Sequence, residues 1–110
     1  MKKIKIMLEY RCYPLWVYDA SGELLCNDLI GELEDVVELK ALLDAVQTGY
    51  DKLFVEDAVR FEYRGFKSEA EKRAFLRKAA RAVQLIEDTV GDGYIVENKV
   101  DFAAGNGRSF

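Results

Sequence analysis

The chain has 110 residues, half of them hydrophobic and a third charged, with one proline and eight glycines; this composition belongs to one compact folded domain and excludes a disordered chain. A domain of this length buries roughly 65% of its unfolded surface, enough to fold without a metal or disulfide scaffold. Histidine is absent, which excludes histidine general bases, Ser-His and Cys-His nucleophile pairs and every His-ligated metal site.

From residue 3 to 10 the side chains alternate, with Ile4, Ile6, Leu8 and Tyr10 on one side and Lys3, Lys5, Met7 and Glu9 on the other. That period of two predicts a half-buried strand. The same alternation argues against a secretion signal, and no run approaches the roughly 18 consecutive apolar residues of a membrane span, so a cytoplasmic location is expected. Pro14 opens a second strand over 15–18, where a first or edge position needs no ladder donor. Asp19, Ser21 and Gly22 are turn chemistry, with Asp19 able to cap its own turn and Gly22 supplying positive φ, so 23–27 returns as a third strand. In a hairpin centred there position 26 faces 15, which puts Cys12 and Cys26 out of register for a disulfide. Both are expected as reduced, partly buried thiols.

Asn27 or Asp28 can cap the next element. Leu33, Val36, Leu39, Leu43, Val46, Tyr50 and Leu53 recur at steps of three and four and predict a helix over 31–54. Gly49 inside it costs about 1 kcal/mol relative to alanine, which allows a kink or early stop there. Val59, Phe61 and Tyr63 share one face of a fourth strand over 59–64. Ser68 and Glu71 form a capping box that starts a second helix. Its stripe runs through Phe75, Ala79, Ala82, Ile86 and Val90, and Gly91 is its C-cap. Tyr94, Val96, Val100 and Phe102 suggest a fifth strand, and 103–110 reads as a frayed tail. The expected fold class is a single α+β domain over 1–102: a two-layer sandwich in the order β-β-β-α-β-α-β, with a largely antiparallel sheet and two helices on one face.

Chemistry is sparse. No P-loop, dinucleotide fingerprint, cysteine pair at metal spacing or nucleophile elbow occurs, so no cofactor, metal or enzymatic activity is expected. Asp28, Glu32 and Asp35 fall at steps of four and three on one helical face, where carboxylates ordinarily serve the helix dipole. Charge is segregated along the chain: residues 19–58 carry eleven acids against Lys40 and Lys52, and residues 59–81 carry eight bases against three acids. Two readings of these blocks stand, complementary helix faces or a surface that steers a basic partner. A nucleic-acid reading would rest on Arg73, Arg77 and Arg81, with Phe61, Tyr63 and Phe66 interleaved among the bases. The order of elements differs from that of an RNA-recognition sheet, and a pI near 4.9 repels phosphate at long range. A protein-binding reading rests on Tyr10, Tyr13, Trp16 and Tyr18. Trp16 and Tyr18 fall on the strand face opposite Leu15 and Val17, where they either cover the sheet or meet a partner, a second copy of the chain included.

The stretch from Lys5 to Asp19 (KIMLEYRCYPLWVYD), continuing through Gly22-Glu23-Leu24-Leu25 and Asn27-Asp28-Leu29 to the acidic helix, resembles small bacterial immunity-type proteins encoded beside polymorphic toxins. The likeness runs from residue 4 to about 55. It implies a cytoplasmic, non-enzymatic inhibitor that binds one cognate toxin domain. Binding residues do not carry over, because such proteins diverge most where they touch their partners. The contact surface expected from the residues themselves is Trp16 and Tyr18 with Asp28, Glu32, Glu34, Asp35 and Glu38, facing a basic partner.

Overall fold

The computed structural model describes residues 1–56, 59 and 61–100. Strands β1 (Lys2–Ile6), β2 (Leu15–Tyr18) and β3 (Leu24–Cys26) form the expected antiparallel meander. β1 stops at Ile6 and not at Tyr10, because the chain turns where the Cys12 amide donates to the Glu9 carbonyl, and Leu8 and Tyr10 pack into a second cluster. Its tight turn is built by Asp19, whose Oδ1 accepts from Ser21 N–H (2.9 Å), Ser21 Oγ (2.7 Å) and Glu23 N–H (2.9 Å). The Ser21 hydroxyl leads the donors that hold the Asp19 carboxyl below its usual range, and Gly22 takes the positive φ (93°) that the turn requires. Cys26 stands opposite Val17, not Leu15, because the turn pairs Asp19 with Glu23, one position from the expected register, and a bulge between Val17 and Tyr18 adds one more residue to β3. Both cysteines are free.

After β3 the sequence period gives way to a break. Gly31–Leu33 is a short 3-10 turn and α1 begins only at Val37, running to Asp51. Neither Asn27 nor Asp28 caps it. Asn27 Nδ2 instead donates to the carbonyls of Tyr13 (2.6 Å) and Leu15 (2.8 Å), pinning the segment after β3 to the start of β2, while Asp28 Oδ1 accepts from Leu29 N–H. The residue before α1 is Val36, which offers no capping side chain. The helix also ends earlier than expected, because Phe54–Glu56 (β4) pairs antiparallel with Phe61–Tyr63 (β5) in a ribbon separate from the main sheet. β5 is the inner part of the expected fourth strand. Its Phe61 is 53% exposed and the preceding Val59 89%, so that face is only partly covered.

α2 (Glu69–Val90) follows the sequence reading closely. Ser68 Oγ accepts from Glu71 N–H (3.0 Å), Glu71 Oε1 accepts from Lys67 N–H (3.2 Å), and Gly91 ends the helix at φ 59°. The last strand, β6 (Tyr94–Asn98), is shorter than expected and lies parallel to β1, completing a sheet in the order β3-β2-β1-β6. Phe102 and the 103–110 tail lie outside the described residues.

The architecture is the α+β arrangement expected, with both helices on one face of a largely antiparallel sheet. Ile4, Ile6, Leu15 and Val17 from the sheet meet Leu39 and Leu43 of α1 and Ala82 and Ile86 of α2 in one buried cluster, with Leu33 of the 3-10 turn. A second cluster, Val46, Tyr50, Leu53, Phe75 and Ala79, lies where the helices meet the ribbon. Arg11 joins the two regions. It holds a left-handed φ of 58°, uncommon for a residue with a Cβ. Its amide donates to Asp51 Oδ1 (2.9 Å) and its guanidinium pairs with Glu56 (3.0 Å).

Two of the six tyrosines, Tyr13 and Tyr50, are pushed up to about 12. Burial is the first cause for both, followed by Asp44 and Asp28 for Tyr13 and by Glu9 for Tyr50. An unfolded chain ionises these phenols near pH 10, so above that pH it releases protons that the folded state retains. Their contribution to stability is therefore complete below about pH 10 and lost as pH rises through about 12. Tyrosinate absorbance should resolve two late-ionising groups, and the denaturant midpoint should fall over the same window. Ionisation of all six tyrosines in a single step near pH 10 would contradict this.

Candidate functional site

The helices leave one face of the sheet uncovered. Side chains alternate along each strand, so Lys3 and Lys5 of β1, Trp16 and Tyr18 of β2 and Ile95 and Glu97 of β6 share that face. Leu24 of β3 pairs with Tyr18 at its edge and is half exposed. The rings are anchored. Trp16 Nε1 donates to the Met7 carbonyl (3.1 Å), and Lys5 Nζ sits 4.8 Å from the centre of the Tyr18 ring, a cation–π distance. Lys3 pairs with Glu97 at 3.7 Å. Both rings are partly buried, so the face is an apolar platform with charges that are largely matched within it.

The acidic residues lie elsewhere. Asp28 follows β3 at one sheet edge, whereas the Glu32 carboxylate accepts from the Tyr94 hydroxyl (3.0 Å) of β6, the opposite edge. Burial, then this hydrogen bond, holds the Tyr94 phenol above its usual range. The segment between them crosses on the helix side of the sheet, where Leu29, Ile30 and Leu33 join the main core. Glu38, in the first turn of α1, takes a two-pronged contact from Arg81 of α2 (Nε to Oε2 3.1 Å, Nη2 to Oε1 3.2 Å). That contact is the main cause of the raised Arg81 pKa. The reading of complementary helix faces thus has one concrete instance.

Glu34 and Asp35 differ from these. Both are exposed, and neither carboxylate has a hydrogen bond or ion pair among the described residues. Between them and Glu38 stands Val37, 78% exposed. The start of α1 therefore presents an apolar side chain preceded by two unpaired carboxylates.

The structure separates the expected contact residues into two groups. Trp16 and Tyr18 stand on the open sheet face, and Glu34, Asp35 and Glu38 stand on the helix side. Asp28, Glu32 and Asp35 do not share a helical turn, because the chain is not helical between Leu33 and Val37. Of the arginines in the nucleic-acid reading, Arg81 is engaged with Glu38, while Arg73 and Arg77 are exposed. Among the described residues no group of three or more His, Cys, Asp or Glu is placed to hold a metal ion, and no helix is long and apolar enough to cross a membrane.

Residues 2–99 match the family model described as Serratia CdiI immunity protein-like. The chain belongs to this family. The match extends the resemblance seen over the first half of the sequence to β5, α2 and the last strand. Among curated proteins none matches the chain. For a CdiI immunity protein-like chain the question set by the geometry is which of its two faces meets a protein partner. The open sheet face offers rings already held by Met7 and Lys5. The start of α1 offers charge and apolar surface with no partner inside the fold.

Proposed function

We propose that this protein binds and neutralises a cognate toxin domain, acting by occlusion without an enzymatic step, in the cytoplasm of the cell that makes it. The start of α1 is the docking surface, with Glu34 and Asp35 as steering charges, Val37 as the apolar contact beside them, and Glu38 and Glu32 at the rim. The observation that carries this reading is the family match combined with an exposed valine beside unpaired carboxylates. Burying apolar surface supplies affinity, and the unpaired charges of Glu34 and Asp35 supply rate and choice of partner. A toxin surface rich in lysine and arginine is the complementary chemistry. Trp16 and Tyr18 would join the contact through the exposed edge strand β3, where Leu24 continues the apolar platform.

The test is co-expression with candidate toxin domains from the same genome, followed by titration of purified toxin against purified protein. Restored growth and a one-to-one complex are expected for one toxin and not for unrelated ones. Growth arrest by every candidate with the protein present, together with self-association as the only interaction seen, would overturn the reading.

A further inference from the structure

Where α1 ends and α2 begins, the second core cluster opens to solvent as a groove of about 450 Å³. Its floor is apolar, made of Leu53, Phe66 and Phe75, with the last two rings 5.2 Å apart. Gly49 makes this floor possible. A Cβ at that position would stand 3.1 Å from Phe75 Cδ1, so any larger residue would push the ring back by a few tenths of an ångström.

The rim is basic. Lys52, Lys67 and Lys78 line it, and no ion pair or hydrogen bond engages any of the three ammonium groups among the described residues. The rim also carries the Glu71 carboxylate, held in the capping box by the Lys67 amide, so the three ammonium groups outnumber it by two charges. A chain with a net charge of −4 thus concentrates unmatched positive charge around one concave apolar surface. In a protein whose long-range field repels anions, such a cluster is a local feature.

The walls say what kind of ligand fits. An extended peptide needs a free backbone ladder, but the Leu53 carbonyl already accepts from the Arg64 and Gly65 amides, and the remaining walls are largely helical. A compact ligand with its polarity gathered in one multiply charged group suits the groove better. Lysine is a point-charge binder of phosphate, and aromatic floors accept planar rings. The volume lies in the range of about 300–1,000 Å³ typical of small-molecule sites.

We infer that this groove binds a phosphorylated aromatic compound of mononucleotide size, with the phosphate among Lys52, Lys67 and Lys78 and the ring against the partly exposed Phe66, which Phe75 backs from the core. The inference is independent of toxin binding. Calorimetric titration of the full chain at low salt with adenosine monophosphate, adenosine and inorganic phosphate tests it. Adenosine monophosphate should bind one to one, with adenosine and inorganic phosphate each at least about tenfold weaker. Lys67→Ala and Lys78→Ala should each weaken it by roughly tenfold, the loss of one charge-assisted contact, while the melting temperature of the free protein stays unchanged. Absence of binding at millimolar nucleotide, binding that survives both lysine changes, or inorganic phosphate binding as tightly as the nucleotide would each overturn the inference.

Discussion

Phe75→Ala is expected to lower the stability of the fold by about 3–5 kcal/mol, the usual cost of deleting a buried aromatic ring and leaving a cavity. The residue is 6% exposed and packs in the cluster with Val46, Tyr50, Leu53 and Ala79. Domains of this size have a total of only about 5–15 kcal/mol, so the variant should lose a large share of it. The denaturant midpoint should fall with the slope m unchanged. Gly49 supplies a second arm. In the native background Gly49→Ala gains helix propensity of about 0.5–1 kcal/mol but drives a methyl to 3.1 Å from the Phe75 ring, so the two effects offset. With Phe75 already alanine the clash is gone and the propensity gain should appear in full. The two changes should therefore be non-additive, as expected for residues in contact. Additive effects would mean that Gly49 and Phe75 do not constrain each other. A change of less than about 0.5 kcal/mol for Phe75→Ala is the size expected at the surface and would remove the ring from the core.

What the sequence made legible is what local chemistry decides. The alternation in β1, the Asp19 turn and the Ser68–Glu71 capping box each depend on residues within a few positions of one another. The turn and the box stand where the pattern put them, and the alternation marks β1 correctly but runs on to Tyr10, past the strand's end at Ile6. The misread segment is instructive. Tyr50 and Leu53 keep the helical spacing of α1, and the local sign of an early end is Gly49, two residues before the helix stops at Asp51. The Phe54–Glu56 strand exists because Phe61–Tyr63 pairs with it, and Phe54 stacks on Phe61 with ring centres 5.1 Å apart. Alternation likewise marks β6 as a strand but cannot say that it lies parallel to β1, a pairing between the two ends of the described chain.

The site follows the same rule. Spacing put Trp16 and Tyr18 together on one face and left open which face the helices cover. Helical periodicity grouped Asp28, Glu32 and Asp35, and the break before Val37 separated them. Lys52, Lys67 and Lys78 carry no shared spacing at all. Only the packing of α1 against α2 brings them to one groove.

Reversing Glu34 and Asp35 together to lysine should slow association with the toxin by about tenfold to a hundredfold at low salt, a loss within the range that electrostatic steering supplies. The salt dependence of the on-rate should flatten, because the attraction that salt screens has been removed. Dissociation should change less, since exposed rim charges act mainly on encounter. Stability should stay within about 0.5 kcal/mol of the parent, because neither side chain has a partner inside the fold. Glu38 makes the contrast. Glu38→Lys also sets two cations against each other at Arg81, so a loss of binding there mixes steering with a disturbed α1–α2 contact. The paired change at Glu34 and Asp35 avoids that ambiguity, and stopped-flow association across a salt series reads it directly. An on-rate equal to the parent's at every salt concentration would move the docking surface away from the start of α1. The open sheet face, with Trp16, Tyr18 and Leu24, would then be the surface left to carry it, and Leu24→Lys at its edge would be the change that slows binding instead.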